Sequence, residues 1–109
     1  MLSKNWFIAD LVVEFIIHIN VVLIEASSAE EAYAKALEVG STHEDAYTNP
    51  DGNLVEVKFR GLRDLNIIRD ELAHGAELTY EHYEGLTQNQ MDKFIRPKHE
   101  LALFRIDDH

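Results

Sequence analysis

Residues 27–40, SSAEEAYAKALEVG, spell a short amphipathic helix that needs a sheet beneath it. Ser28 is an N-cap, and Glu31 three positions on completes a capping box. The hydroxyl accepts from the amide of residue 31 and the carboxylate reaches back to the amide of Ser28. Glu30 and Glu31 also occupy the first turn, where the positive end of the helix dipole favours anions. Ala29, Ala32, Tyr33, Ala36 and Leu37 fall at helical spacing as one apolar stripe, and Glu31 with Lys35 forms an i,i+4 pair on the solvent side. Gly40 reads as the left-handed residue that ends the helix. The spacing predicts a helix over about 28–39, whose small side chains let it lie close on a sheet. A helix this short depends on that packing.

The sheet is written on either side of it. From Asn5 to Ile19 the odd positions are Phe7, Ala9, Leu11, Val13, Phe15, Ile17 and Ile19, all apolar. The even positions are Trp6, Ile8, Asp10, Val12, Glu14, Ile16 and His18, a mixture. Period two with one apolar face predicts a strand whose odd positions meet the core. The mixed face is too polar for a closed interior and too apolar for water, so another element or a second molecule should cover it. Trp6, Ile8, Val12 and Ile16 are the candidate interface residues. Trp6, the only tryptophan, suits either an interface or a half-buried place under a C-terminal helix. Asn20 is the turn-former on offer before Val21–Ala26 returns as a second strand; one strand kinked near Asn20 is the competing reading.

Downstream, Ser41–Thr48 reads as a short strand or extended loop, and Asn49-Pro50-Asp51-Gly52-Asn53 as a tight turn. Leu54–Arg60 alternates, with Val55, Val57 and Phe59 inward, and Gly61 marks a bulge or corner before a further strand over Leu62–Ile68. Glu77–Glu84 is expected to be a strand presenting Leu78, Tyr80 and His82 on one side. Thr87 with Gln90 is a second capping box, opening a short helix over about 88–95 with Met91, Phe94 and Ile95 as its inner stripe. Arg96-Pro97 stops that helix, and Leu101–Ile106 reads as a closing strand. The fold class is α+β: a single domain over residues 1–109, with an antiparallel, mostly meander sheet, one principal helix and a short C-terminal one.

Composition narrows the function classes. Ten lysines and arginines against twenty aspartates and glutamates leave a net charge of −10, which argues against nucleic acid as a partner. The absence of cysteine excludes disulfides, thiolate metal sites and a cysteine nucleophile. The longest apolar run, Leu11–Leu23, is broken by Glu14, His18 and Asn20 and does not suit a membrane span. The N-terminal MLSKNWF lacks the apolar core of a secretory signal. A cytoplasmic protein is the expectation.

The combination Trp6-Phe7-x-Ala9, Leu23-Ile24-Glu25-Ala26 and Ser28-x-Glu30-Glu31-Ala32-Tyr33 resembles a small bacterial family defined only as a domain of unknown function, DUF4288. Tyr47-x-Asn49, Asp51-Gly52-Asn53, Phe59-x-Gly61-Leu62-x-Asp64-Leu65, Gly75-x-Glu77-Leu78 and Arg96-Pro97-Lys98-x-Glu100-Leu101-Ala102-x-Phe104 extend the resemblance from about Asn5 to Phe104. The region between Glu14 and Val21 is shorter here than in such proteins. These motifs are strand, cap and turn patterns, so the resemblance implies a fold and no activity.

Candidate chemistry is sparse. His43, Glu44 and Asp45 form a weak metal-ligand cluster, without the repeated spacing that zinc sites use; no metal or other cofactor is expected. Tyr80, His82 and Glu84 are weak ligand-binding candidates in a polar–aromatic strip, but alternation along a strand would split that strip across two faces. Three functions follow in order. The first is a non-enzymatic interaction module that self-associates, as a homodimer, through the mixed face of the first strand. The second is an acidic, immunity-type protein that neutralises a basic protein partner, charge complementarity speeding the encounter. The third is a small-molecule enzyme with its site near Tyr80, His82 and Glu84.

Overall fold

The computed structural model describes residues 4–14 and 17–105. Four strands form one antiparallel sheet: β1 (Asn5–Glu14), β2 (His18–Ala26), β3 (Asp45–Thr48) and β4 (Leu54–Ile67), in spatial order β2-β1-β4-β3. Two hairpins, β1–β2 and β3–β4, lie side by side through the β1–β4 ladder. Helix α1 (Ala29–Ser41) carries the chain from one edge strand, β2, to the other, β3. The α+β expectation holds, with an antiparallel sheet and one principal helix.

The odd face of β1 is the core face, as period two predicts. Phe7, Ala9, Leu11 and Val13 join Ile24 and Ala26 of β2 and Ala32 and Ala36 of α1 in one buried cluster. Val57, Phe59, Leu62 and Leu65 of β4 pack around it, half-buried. Small residues on the helix allow the close approach. Ala32, Ala36 and Gly40 are its buried positions, while Tyr33 is exposed and Leu37 only half-buried.

Several boundaries differ from the sequence expectation, each for a physical reason. The first hairpin turns before His18, and Asn20 lies inside β2 opposite Leu11. Ile17 is therefore an exposed turn residue, and Ile19 pairs with Val12. Phe15 and Ile16 lie outside the described residues. Gly40 does not end the helix, which continues to Ser41 with Thr42 as C-cap in right-handed geometry. Gly40 is glycine because the Phe59 ring occupies the place a Cβ would take. The Glu31 carboxylate accepts from the amide of Ser27 (3.2 Å) rather than Ser28, while the Ser28 hydroxyl accepts from Glu31 as expected (3.1 Å).

The Asn49–Asn53 turn forms as read: the Asn49 side-chain oxygen accepts from the amides of Asp51 (3.0 Å) and Asn53 (2.9 Å). Leu54–Ile67 is one strand rather than two. Its register against β1 shifts twice, with Gly61 between the shifts at φ +133°. Glu77–Glu84 forms no strand, and Ala102–Phe104 is a 3₁₀ turn rather than part of a closing strand. A second helix, α2 (Gln88–Asp92), has the complete capping box of Thr87 and Gln90 but ends three residues earlier than the pattern suggests. Met91, Phe94 and Ile95, expected as its inner stripe, are exposed.

Candidate functional site

The face of the sheet opposite α1 is assembled by the β1–β2 register. Trp6 stands opposite Glu25, Ile8 opposite Leu23, Asp10 opposite Val21 and Val12 opposite Ile19. The two strands therefore present Trp6, Ile8 and Val12 beside Ile19, Val21 and Leu23 on one surface. Their exposure is graded across the sheet. Ile8 is buried (7 %) without belonging to the helix-side core, and Val12 is half-buried. Trp6 (38 %), Ile19 (40 %), Leu23 (48 %) and Val21 (56 %) are open.

The bare part of the face thus lies along β2, an edge strand, and not along β1, where sequence reasoning centred it. Ile19, Val21 and Leu23 were missed because a hairpin placed at Asn20 puts Ile19 on the wrong face. The pairing of Val21 and Leu23 with Asp10 and Ile8 was the signal that a correct turn would have supplied. Of the candidate interface residues, Trp6, Ile8 and Val12 share this face, and Ile16 lies outside the described residues.

The charge in the middle of the face is neutralised. The register shift after Asp10 leaves Arg63 as the extra residue of β4, and its Nε and terminal nitrogen donate to one Asp10 carboxylate oxygen at 3.0 and 2.7 Å. Asp10 is thereby held under a guanidinium instead of repelling an apolar neighbour. At the far end Arg60 pairs with Glu14 at 3.2 Å.

Beyond β4 the chain forms a loop tied by the Glu77 amide donating to Asp70 (3.0 Å). A polar cleft of about 400 Å³ lies between this loop and the end of β4, lined by Asp64, Asn66, Arg69, Asp70, Tyr80 and His82 among others. Two of the three ligand candidates, Tyr80 and His82, are brought together here. Glu84 is not part of the lining but meets His82 Nε2 at 3.0 Å on open chain. Two carboxylates of the cleft already accept hydrogen bonds. Asp64 takes the Leu65 amide and the Asn66 side-chain amide, and Asp70 the Glu77 amide. Next to it, the Glu81 carboxylate accepts from the Tyr83 hydroxyl at 2.6 Å and raises the Tyr83 pKa, since ionising the phenol would lose that bond and oppose two negative charges.

The three metal candidates each make a local hydrogen bond. His43 Nδ1 donates to the Val39 carbonyl (3.1 Å), Glu44 accepts from the Phe59 amide (3.3 Å), and Asp45 accepts from the Ala46 amide (2.8 Å). Among the described residues no three histidine, aspartate or glutamate side chains are placed to hold a metal ion, and no helix is long and apolar enough to cross a membrane.

The model of a family described as a domain of unknown function, DUF4288, matches residues 6–80. The match takes in the whole sheet, α1 and the loop up to Tyr80, and leaves Arg96–Phe104 outside it. No curated protein and no solved structure matches the chain.

Proposed function

The chain belongs to the DUF4288 family, whose description assigns no activity, and from that premise we propose that it is a homotypic interaction module, a small non-enzymatic domain that self-associates through the sheet face opposite α1. The observation that carries this reading is the row Ile19, Val21 and Leu23, exposed beside Trp6 on an edge strand. Edge strands of monomeric proteins are commonly protected by charge, proline or a covering element. Here the exposed row is purely aliphatic over three successive outward positions, and only Glu25 follows it. The Asp10–Arg63 pair supports the same reading, because it neutralises the carboxylate in the middle of this surface.

The test is the mass of the full chain in solution by sedimentation equilibrium, beside a variant carrying Val21→Lys and Leu23→Lys. A dimer that becomes monomeric in the variant, with unchanged circular dichroism, is the expected result. A wild-type chain that stays monomeric at the highest soluble concentration would overturn the reading.

A further inference from the structure

The bare face has a chemically matched counterpart on the same chain. Every residue from Glu77 to Arg105 is exposed, although this C-terminal arm is rich in large apolar side chains. Phe94 is 57 % exposed, Ile95 74 % and Leu103 87 %. The arm nevertheless has local shape. Thr87 and Gln90 cap α2 reciprocally, the Tyr83 and Phe94 rings meet at 5.1 Å, and Lys98 Nζ lies 5.0 Å from the centre of the Phe104 ring. A segment that is organised locally and exposes its apolar side chains is built to lie on another surface.

Charge permits the contact. Residues 77–105 carry Lys93, Arg96, Lys98 and Arg105 against Glu77, Glu81, Glu84, Asp92 and Glu100, a net charge of −1. Residues 1–76 carry six cations against thirteen carboxylates, a net charge of −7. The arm is nearly neutral beside an acidic body, so little repulsion opposes its lying on the body of a second copy.

Area indicates how much contact is unmade. The chain exposes 9060 Å² at a mass of 12.5 kDa, where a folded monomer of that mass exposes about 6,200 Å². The excess, roughly 2,900 Å² per chain or about 5,800 Å² for two, reaches the top of the range that obligate homodimers bury over both partners. The radius of gyration, 18.0 Å, likewise exceeds the roughly 13 Å of a compact chain this long.

We propose that the C-terminal arm of each copy lies across the β1–β2 face of a second copy, so that two chains exchange arms about a two-fold axis. The proposal rests on the self-association reading above and names its occupant. A two-fold exchange satisfies both surfaces of both chains at once and closes on itself.

The test uses the full chain. A single cysteine introduced by Leu103→Cys, unique because the protein has none, carries a benzophenone photo-crosslinker. The labelled chain is mixed with isotopically heavy wild-type chain, irradiated and digested, and the linked peptides are identified by mass spectrometry. Crosslinks from the light arm to residues 18–26 or 5–14 of the heavy chain are expected. Crosslinks confined to one chain, or to other parts of the heavy chain, overturn the exchange. A label-free variant, Phe94→Ser with Ile95→Ser, should weaken the dimer by roughly 100-fold, the effect of losing two buried apolar anchors, with its circular dichroism retained. A variant that dimerises as tightly as wild type overturns the exchange and leaves self-association standing; a monomeric wild type removes both.

Discussion

At Gly40, missing atoms carry the packing. The Phe59 ring of β4 fills the space a Cβ would take, so the ring packs directly on the α1 backbone. Gly40→Ala adds a methyl to a site with no room, and the ring or the helix must move. Overpacking of this kind costs about 1–3 kcal/mol, more than the helix propensity that alanine returns. Thermal or urea unfolding of the variant should therefore show a net loss of stability; a gain would mean that the ring swings clear. Glu31 makes a second prediction at this scale. The Lys35 ammonium and the Ser27 amide both bind its carboxylate and lower its pKa below the ordinary 4.5. A carboxylate with a depressed folded pKa stabilises the fold above its unfolded value, and that stabilisation is lost as the pH falls through the folded value. Side-chain NMR should find Glu31 titrating below 4.5. Glu31→Gln should remove its share of the pH dependence in that acidic window.

Among elements, β4 shows what local pattern can and cannot specify. Its alternation was legible, and so was the irregularity at Gly61, but a bulge inside one strand and a corner between two look alike in sequence. The β1 ladder decides between them, holding Val12 opposite Gly61 and Asp10 opposite Asp64 in one continuous strand. Because Gly61 sits at φ +133°, a region L residues avoid, Gly61→Ala should cost about 1–3 kcal/mol and disturb the Arg63–Asp10 contact that the bulge presents. Amide shifts of Asp10 and Arg63 would report that disturbance directly; unchanged shifts with unchanged stability would show that the bulge tolerates a side chain. The caps of α1 and α2 and the Asn49 turn were equally legible, because each is settled within a few residues. The first hairpin was not, since its turn before His18 lacks a glycine or asparagine signal. Leu78, Tyr80 and His82 alternate as a strand would, yet a strand exists only against a partner, and a one-dimensional pattern does not name one. The same limit applies to the site: the mixed character of the Trp6–Val12 face was visible, whereas its extension through Ile19, Val21 and Leu23 depended on pairing.

For the whole molecule, the helix-side core and the C-terminal arm stand in opposite conditions. The core is a closed cluster around Leu11, which is fully buried, while the stretch from Glu77 to Arg105 contributes apolar side chains without burying them. Met91, Phe94 and Ile95 have the spacing of a core stripe, and spacing says that a residue needs a partner surface without saying on which chain that surface lies. If the surface is on a second copy, folding and association are one equilibrium, and stability must depend on protein concentration. For a dimer unfolding to two free chains, each tenfold rise in concentration adds about 1.4 kcal/mol per mole of dimer. Spread over the unfolding entropy of two chains of this length, that is an upward shift of about 3 °C in the thermal midpoint per tenfold. Calorimetry across two decades of concentration should show it for the wild type. The Val21→Lys, Leu23→Lys variant should melt lower and at a temperature independent of concentration. An invariant wild-type midpoint would mean that the arm and the sheet face are stable while bare, and that the helix-side core alone sustains the fold.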